Sequence, residues 1–131
     1  MRIGELSERT GASTRSLRYY EEVGLLTPGR CFNGYRTYED SDVARVWQIR
    51  WLFDAGLSST AVLAVLPLVR GVGDRVELDV AVADHVEPTR RRIAGDIQLL
   101  RHRLERLTAL QQRATGGSNR GPEVSSLGLP A

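Results

Sequence analysis

Ile93, Ile97, Leu100, Leu104 and Leu107 recur at alternating steps of four and three residues. On a helix this spacing gathers them into one stripe, the pattern of a coiled-coil seam. The surrounding stretch, 80–112, reads as one long helix. Pro88 lies inside it, so the helix is either kinked there or begins anew with the proline in its first turn. A lone helix cannot keep a leucine stripe in water, so the stripe needs a cover. One cover is the chain's own domain. The other is a second copy, and charge favours that choice. Asp74, Glu77, Asp79, Asp84 and Glu87 against Arg75 give residues 74–87 a net charge of −4. Six arginines against Asp96 and Glu105 give residues 90–106 a net charge of +4. A parallel pair would set like charges side by side, whereas an antiparallel pair matches acidic to basic. Each exposed pair contributes only about 0.2–1 kcal/mol, but such pairs can decide between two orientations of similar packing. The expectation is an antiparallel homodimer.

The first half of the chain is organised differently. Residues 4–10 read as a short helix that Gly11 breaks. Ser13 is placed to cap a second helix over 14–23 by accepting a free N–H of its first turn. Gly24 suits the left-handed position that ends a helix. Two short helices joined by a tight turn form a helix-turn-helix pattern. In this second helix Arg15, Arg18 and Tyr19 sit at i, i+3 and i+4 and share a face, while Leu17, Tyr20 and Val23 lie opposite. Next, Pro28-Gly29 signals a turn and Asn33-Gly34 a hairpin. Arg30, Cys31 and Phe32 precede that hairpin turn, and Tyr35, Arg36, Thr37 and Tyr38 follow it, which makes a small β-wing.

A third helix is expected from Ser41 to Ala55, capped by Glu39 or Asp40, with Val43, Val46, Trp47, Ile49 and Phe53 at helical spacing. Ser58 caps a fourth, with Leu57 and Val62 placed as a hydrophobic staple, and Pro67 ends or kinks it. The fold class is therefore mainly α with a small β-hairpin wing: a winged helix-turn-helix head followed by a long antiparallel coiled-coil dimerisation helix. The expected divisions are a DNA-binding head over 1–70, a linker over 71–79, a dimerisation helix over 80–112 and a disordered tail over 113–131. The tail is rich in Gly, Ser and Pro.

Composition narrows the function. All 18 basic residues are arginine, against 16 acidic ones. Biased genome composition is one explanation; the other is that arginine is the better residue for forked contacts to phosphate and guanine. A single cysteine, Cys31, allows no intramolecular disulfide and no thiolate cluster. A zinc, copper(I) or iron–sulfur site of the usual thiolate kind is not expected. His85 and His102 are isolated, and no metal or cofactor is anticipated. No apolar run approaches the ~20 residues needed to span a bilayer. Glu5 and Glu8 interrupt any signal peptide, so the chain reads as cytoplasmic, with no membrane partner. No paired carboxylates, nucleophile–histidine set or phosphate-cradling glycine loop points to an enzyme.

The strings "IGELSERTGASTRSLRYYEEVGLL", "NGYRTY" and "SDVARVWQIRWLFDAGLSSTAV" resemble the MerR family of bacterial transcription regulators. The resemblance covers residues 2 to about 66 closely and the dimer helix loosely. It implies a homodimer seated on double-stranded promoter DNA whose two polymerase-contacting elements are too far apart. Bending and untwisting the spacer then lets RNA polymerase engage both, an indirect partnership that activates or represses.

On this resemblance the second helix enters the major groove. Arg15 and Arg18 face base edges or phosphates, and Tyr19 meets the backbone. Tyr20, Arg30, Asn33, Tyr35, Arg36 and Tyr38 complete the DNA-binding set, although Tyr20 also suits a core position. Arg45 and Gln48 are lesser candidates. Ile93, Ile97, Leu100, Leu104 and Leu107 form the dimer seam. The effector is unspecified. A small apolar ligand between the fourth helix and the dimer helix, near Trp47, Trp51 and Leu66, is one option, and a plain core role for those aromatics is the other. An architectural, chromosome-organising DNA binder with the same head is the alternative function. An adaptor that uses only the long helix is a third.

Overall fold

The structure, a computed structural model, describes residues 1–31 and 33–116. Phe32 and most of the expected tail, 117–131, lie outside the described residues. The described chain divides into two compact units between Thr89 and Arg90. In order, the elements are α1 (Ile3–Thr10), α2 (Thr14–Glu22), β1 (Gly29–Arg30), β2 (Arg36–Thr37), α3 (Asp40–Asp54), α4 (Ser59–Val65), β3 (Val69–Arg70), β4 (Glu77–Leu78) and α5 (Val82–Thr115). A 3-10 turn over Leu66–Leu68 carries Pro67 directly after α4.

The first unit closes around Leu6 of α1, Leu17 of α2, Val46 and Ile49 of α3, and Val62 and Val65 of α4, all fully buried. Each comes from a helix too short to be stable alone, so mutual burial of these stripes holds the elements in place. The turn from α1 to α2 needs Gly11, whose φ is 76° and whose N–H bonds to the Ser7 carbonyl. Arg50 of α3 donates from Nη1 to the Thr10 carbonyl at 2.7 Å, tying that turn to the third helix. Ser13 caps α2 as its position suggests, accepting from the Ser16 N–H at 3.1 Å. Ser58 does the same for α4 through Ala61. At α3 the cap position is Glu39, and Asp42 reaches back to accept its N–H at 2.8 Å.

The wing is an antiparallel hairpin with Gly29 opposite Thr37 and Arg30 opposite Arg36. Gly34 alone carries the positive φ, since among the described residues only glycines have one. Asn33 contributes through its side chain, which accepts the Tyr35 N–H at 3.4 Å.

Three expectations change. The segment 71–79, expected as a linker, holds the turn and second strand of another antiparallel hairpin, with Val69 opposite Leu78 and Arg70 opposite Glu77. Its turn depends on Gly71 at φ 76°, where an added Cβ would run into the Arg75 carbonyl oxygen. Trp47 is exposed, because the buried stripe of α3 is Val43, Val46, Ile49 and Leu52. Finally, α5 starts at Val82, runs through Pro88 and continues to Thr115, beyond the expected end at 112. The helix does not restart at the proline. Pro88 is the seventh residue of the helix, past its first turn, so its missing N–H leaves the Asp84 carbonyl without that ladder bond while the helix continues on both sides.

In the second unit, Ile93, Ile97, Leu100, Leu104 and Leu107 are all exposed on α5, as are Leu99 and Leu110. Among the described residues no helix is long and apolar enough to cross a membrane.

Candidate nucleic-acid interface

The reading face of α2 is built from its buried face outward. Leu17 and Tyr20 pin the helix to the core, with Tyr20 only 7% exposed. The Tyr20 ring stacks on Phe53 of α3, with centroids 5.8 Å apart and planes 14° from parallel. Val23 packs against the same core. With that side fixed, helical geometry turns Arg15, Arg18 and Tyr19 outward. Tyr19 is half-exposed and leans on Phe53 at 6.4 Å, which sets the direction of its hydroxyl end.

Arg15, Arg18 and Tyr19 meet Arg36 of the wing, together with Glu21 and Glu22, around an open cleft of about 770 Å³. Three guanidiniums thus converge where α2 adjoins the hairpin. Each has five N–H donors and no acceptor, so the cleft suits phosphate oxygens and guanine edges. Arg36 donates from Nε to Glu21 Oε1 at 3.0 Å, which joins wing to helix.

The remaining wing residues divide. Arg30 donates to the Gly34 carbonyl at 3.2 Å and steadies the hairpin tip. Asn33 and Tyr35 are exposed, and the Arg2 guanidinium covers the Tyr35 ring at 4.0 Å. Tyr38 is 2% exposed. Its backbone N–H donates to the Met1 carbonyl at 2.7 Å.

Tyr20 and Tyr38 are therefore corrections to the expected contact set. Their rings complete the core beneath the reading surface. Burial raises both phenol pKa values above the usual 10.0. At Tyr38 the nearby Glu21 carboxylate adds to the rise, while at Tyr20 the Arg50 charge partly offsets it. Gln48 is also spoken for, donating to the Gly71 carbonyl at 3.0 Å.

Sequence reasoning passed over Glu21, Glu22, Arg2 and the supporting role of Phe53. Glu22 follows Arg18 by four residues and was accessible to the same helical-face argument. Arg2 and Glu21 act on residues far along the chain, and no local spacing signals them.

A second groove, of about 200 Å³, lies between α3 and the β3–β4 turn, lined by Trp47, Gln48, Trp51, Gly71, Val72, Gly73 and Val76. Leu66 is buried in the core rather than in this groove.

Residues 1–68 match the MerR HTH family of regulatory proteins. Two relatives share substantial sequence. "Heavy metal-dependent transcription regulator 2" of Rhizobium meliloti is 39% identical over 104 residues, which cover 77% of this chain and 70% of that protein. "HTH-type transcriptional regulator HmrR" of Sinorhizobium medicae is 41% identical over 98 residues, covering 72% and 66%. Among solved structures, the transcription regulator PbrR691 of Ralstonia metallidurans, in complex with lead(II), superposes with a TM-score of 0.68 at 26% identity over 92% of this chain and 91% of that one. HiNmlR, a MerR family regulator lacking the sensor domain and bound to promoter DNA, superposes at 0.53 over 99% and 96% with 23% identity. The latter speaks to the fold alone.

Proposed function

The chain belongs to the MerR family of HTH transcription regulators, and from that premise we propose that two copies bind one promoter duplex, α2 of each lying in the major groove. Arg15 and Arg18 reach base edges and phosphates. Arg36 and Tyr19 grip the backbone, and Arg30, Asn33 and Tyr35 present the wing to the adjoining phosphates. The convergence of Arg15, Arg18 and Arg36 on one exposed cleft carries this reading. A forked arginine–guanine pair is worth about 1–3 kcal/mol of base discrimination, and phosphate contacts set register and salt dependence.

The leucine stripe of α5 holds the two copies together as an antiparallel pair. The head spans 1–70 on this reading and the dimer helix follows. Holding two heads at a fixed spacing lets the dimer bend and untwist the promoter spacer, so RNA polymerase is engaged indirectly, in the bacterial cytoplasm. The architectural alternative is not favoured, since the Rhizobium meliloti and Sinorhizobium medicae relatives are both named as transcription regulators. Trp47 and Trp51 give a small apolar effector a place to bind, and they are the chain's two tryptophans. Quenching of intrinsic fluorescence therefore tests candidate effectors directly. The metal dependence in a relative's name belongs to that relative.

Selection of bound fragments from the host genome tests the central claim. The expected result is an inverted repeat within promoter spacers, with Arg18→Ala losing affinity for it. Broad coverage without sequence preference, or an Arg18→Ala protein that binds like wild type, would count against it.

A further inference from the structure

Glu21 is out of place by three ordinary measures. It stands in the last turn of α2, where the negative end of the helix dipole disfavours a carboxylate. Its side chain is only 20% exposed, and Oε2 is buried without a hydrogen-bond partner, a costly state for an acceptor. It also sets a negative charge in the wall of an arginine-lined cleft. Direct base reading does not account for it, because a buried Oε2 cannot reach a cytosine amino group. The exposed Glu22 is the better placed carboxylate for that.

What Glu21 does make is a single directed bond, accepting from Arg36 Nε at 3.0 Å. Arg36 is otherwise free to swing, for it sits on a two-residue strand of a small hairpin. Among the described residues neither of its Nη groups donates to another acceptor. A guanidinium held by Nε keeps its two outer nitrogens as a forked, coplanar pair.

We propose that Glu21 is a positioning residue for DNA binding: it fixes Arg36 by Nε so that the Nη pair is presented, already oriented, to a phosphate at the junction of α2 and the wing. The inference rests on reading the cleft as the DNA surface. Its consequence runs against simple electrostatics. Removing a negative charge from a DNA-facing cleft should strengthen binding, yet removing Glu21 should weaken it.

The test uses the full chain and a fluorescein-labelled duplex taken from the genomic selection. Binding is measured over a range of salt concentrations, with thermal melts to confirm folding. Glu21→Ala should bind about tenfold more weakly, the size expected for losing a charge-assisted hydrogen bond. Its salt slope should fall by about 0.9, the value of one phosphate contact, although the protein has become more positive. Glu21→Gln keeps an acceptor for Arg36 Nε and should remain within about threefold of wild type, because one neutral hydrogen bond is retained. In an Arg36→Ala background, Glu21→Ala should cost nothing further.

A Glu21→Ala protein that binds as tightly as wild type or tighter would overturn the inference. So would a loss that persists undiminished in the Arg36→Ala background, which would mark Glu21 as a fold residue only. Arg36→Ala binding like wild type, with an unchanged salt slope, would instead overturn the reading of the cleft itself, and the inference with it.

Discussion

With α5 pairing two copies as proposed, replacing Leu100 and Leu104 by alanine should dissolve that dimer while leaving the helix intact. Burying a whole leucine side chain contributes about 1.5–3 kcal/mol. Leu100 is 61% exposed and Leu104 64% exposed on α5. A covering helix therefore adds roughly 1–2 kcal/mol at each position, in proportion to the surface still open. Both positions occur on both copies, so the double substitution removes about 4–8 kcal/mol from the pairing free energy. Alanine retains one methyl group, which makes the lower half of that range the firmer expectation. At ~1.4 kcal/mol per decade, the dissociation constant should rise about a thousandfold. Alanine is the best helix former, so helical content should persist in the separated chains wherever tertiary packing does not supply it. Sedimentation equilibrium across a concentration series measures the shift, with circular dichroism following the helix. A dissociation constant within tenfold of wild type would refute the reasoning, since the exposed stripe would then contribute little to association.

Ser13→Ala removes the side-chain acceptor for the Ser16 N–H and should cost about 1 kcal/mol. In a head of this size that lowers the melting temperature by about 4–8 °C, and an unchanged melt would mean the cap is replaced by solvent at no cost. Tyr38→Phe removes a buried hydroxyl that has no hydrogen-bond partner, so the melt should stay level or rise, whereas a clear drop would reveal a partner for the hydroxyl. Alkaline pH acts on the same residue. Folding raises the Tyr20 and Tyr38 pKa values above 10.0, so the fold favours the protonated phenols. That contribution is complete below pH 10 and is lost as pH climbs through the raised folded-state values. Denaturant titrations should show stability falling above pH 10, and Tyr38→Phe should soften the decline. A wild-type profile flat through this range would contradict the sign.

The local signals were legible because their causes are local. Ser13, Gly11 and Gly34 act on backbone groups within a few residues, and helical spacing alone put Arg15, Arg18 and Tyr19 on one face. The stripe on α5 was legible for the same reason. Tyr20 and Tyr38 were not separable from contact residues, because tyrosine serves equally as an apolar body and a polar tip. Trp47 follows Val43 by one turn and fits the α3 stripe on paper. Only the packing of α1 and α4 against α3 shows that Leu52 completes the buried set and Trp47 is left outside. The β3–β4 hairpin escaped because its paired strands are two residues each, too short to show alternation. Glu21 escaped because its partner lies fifteen residues away on a different element.

The cleft and the stripe are one device, on the reading proposed here, because neither is sufficient alone. One head offers three converging guanidiniums and a tyrosine, a small contact set for a protein that must find one site in a genome. Two heads joined through α5 bind the second half-site as an intramolecular step, and such coupling raises overall affinity about 10²–10⁴-fold without any new contact. The gain vanishes if the joint is too loose to hold the spacing, which is why a continuous helix serves better here than a glycine-rich tether. The Leu100 and Leu104 substitutions should therefore weaken operator binding by a factor of that order, although both residues lie outside the cleft and its arginines are untouched. Binding should also become second order in protein. A variant that lost its dimer yet kept operator affinity would mean that one head suffices, and the leucine stripe would have no part in DNA recognition.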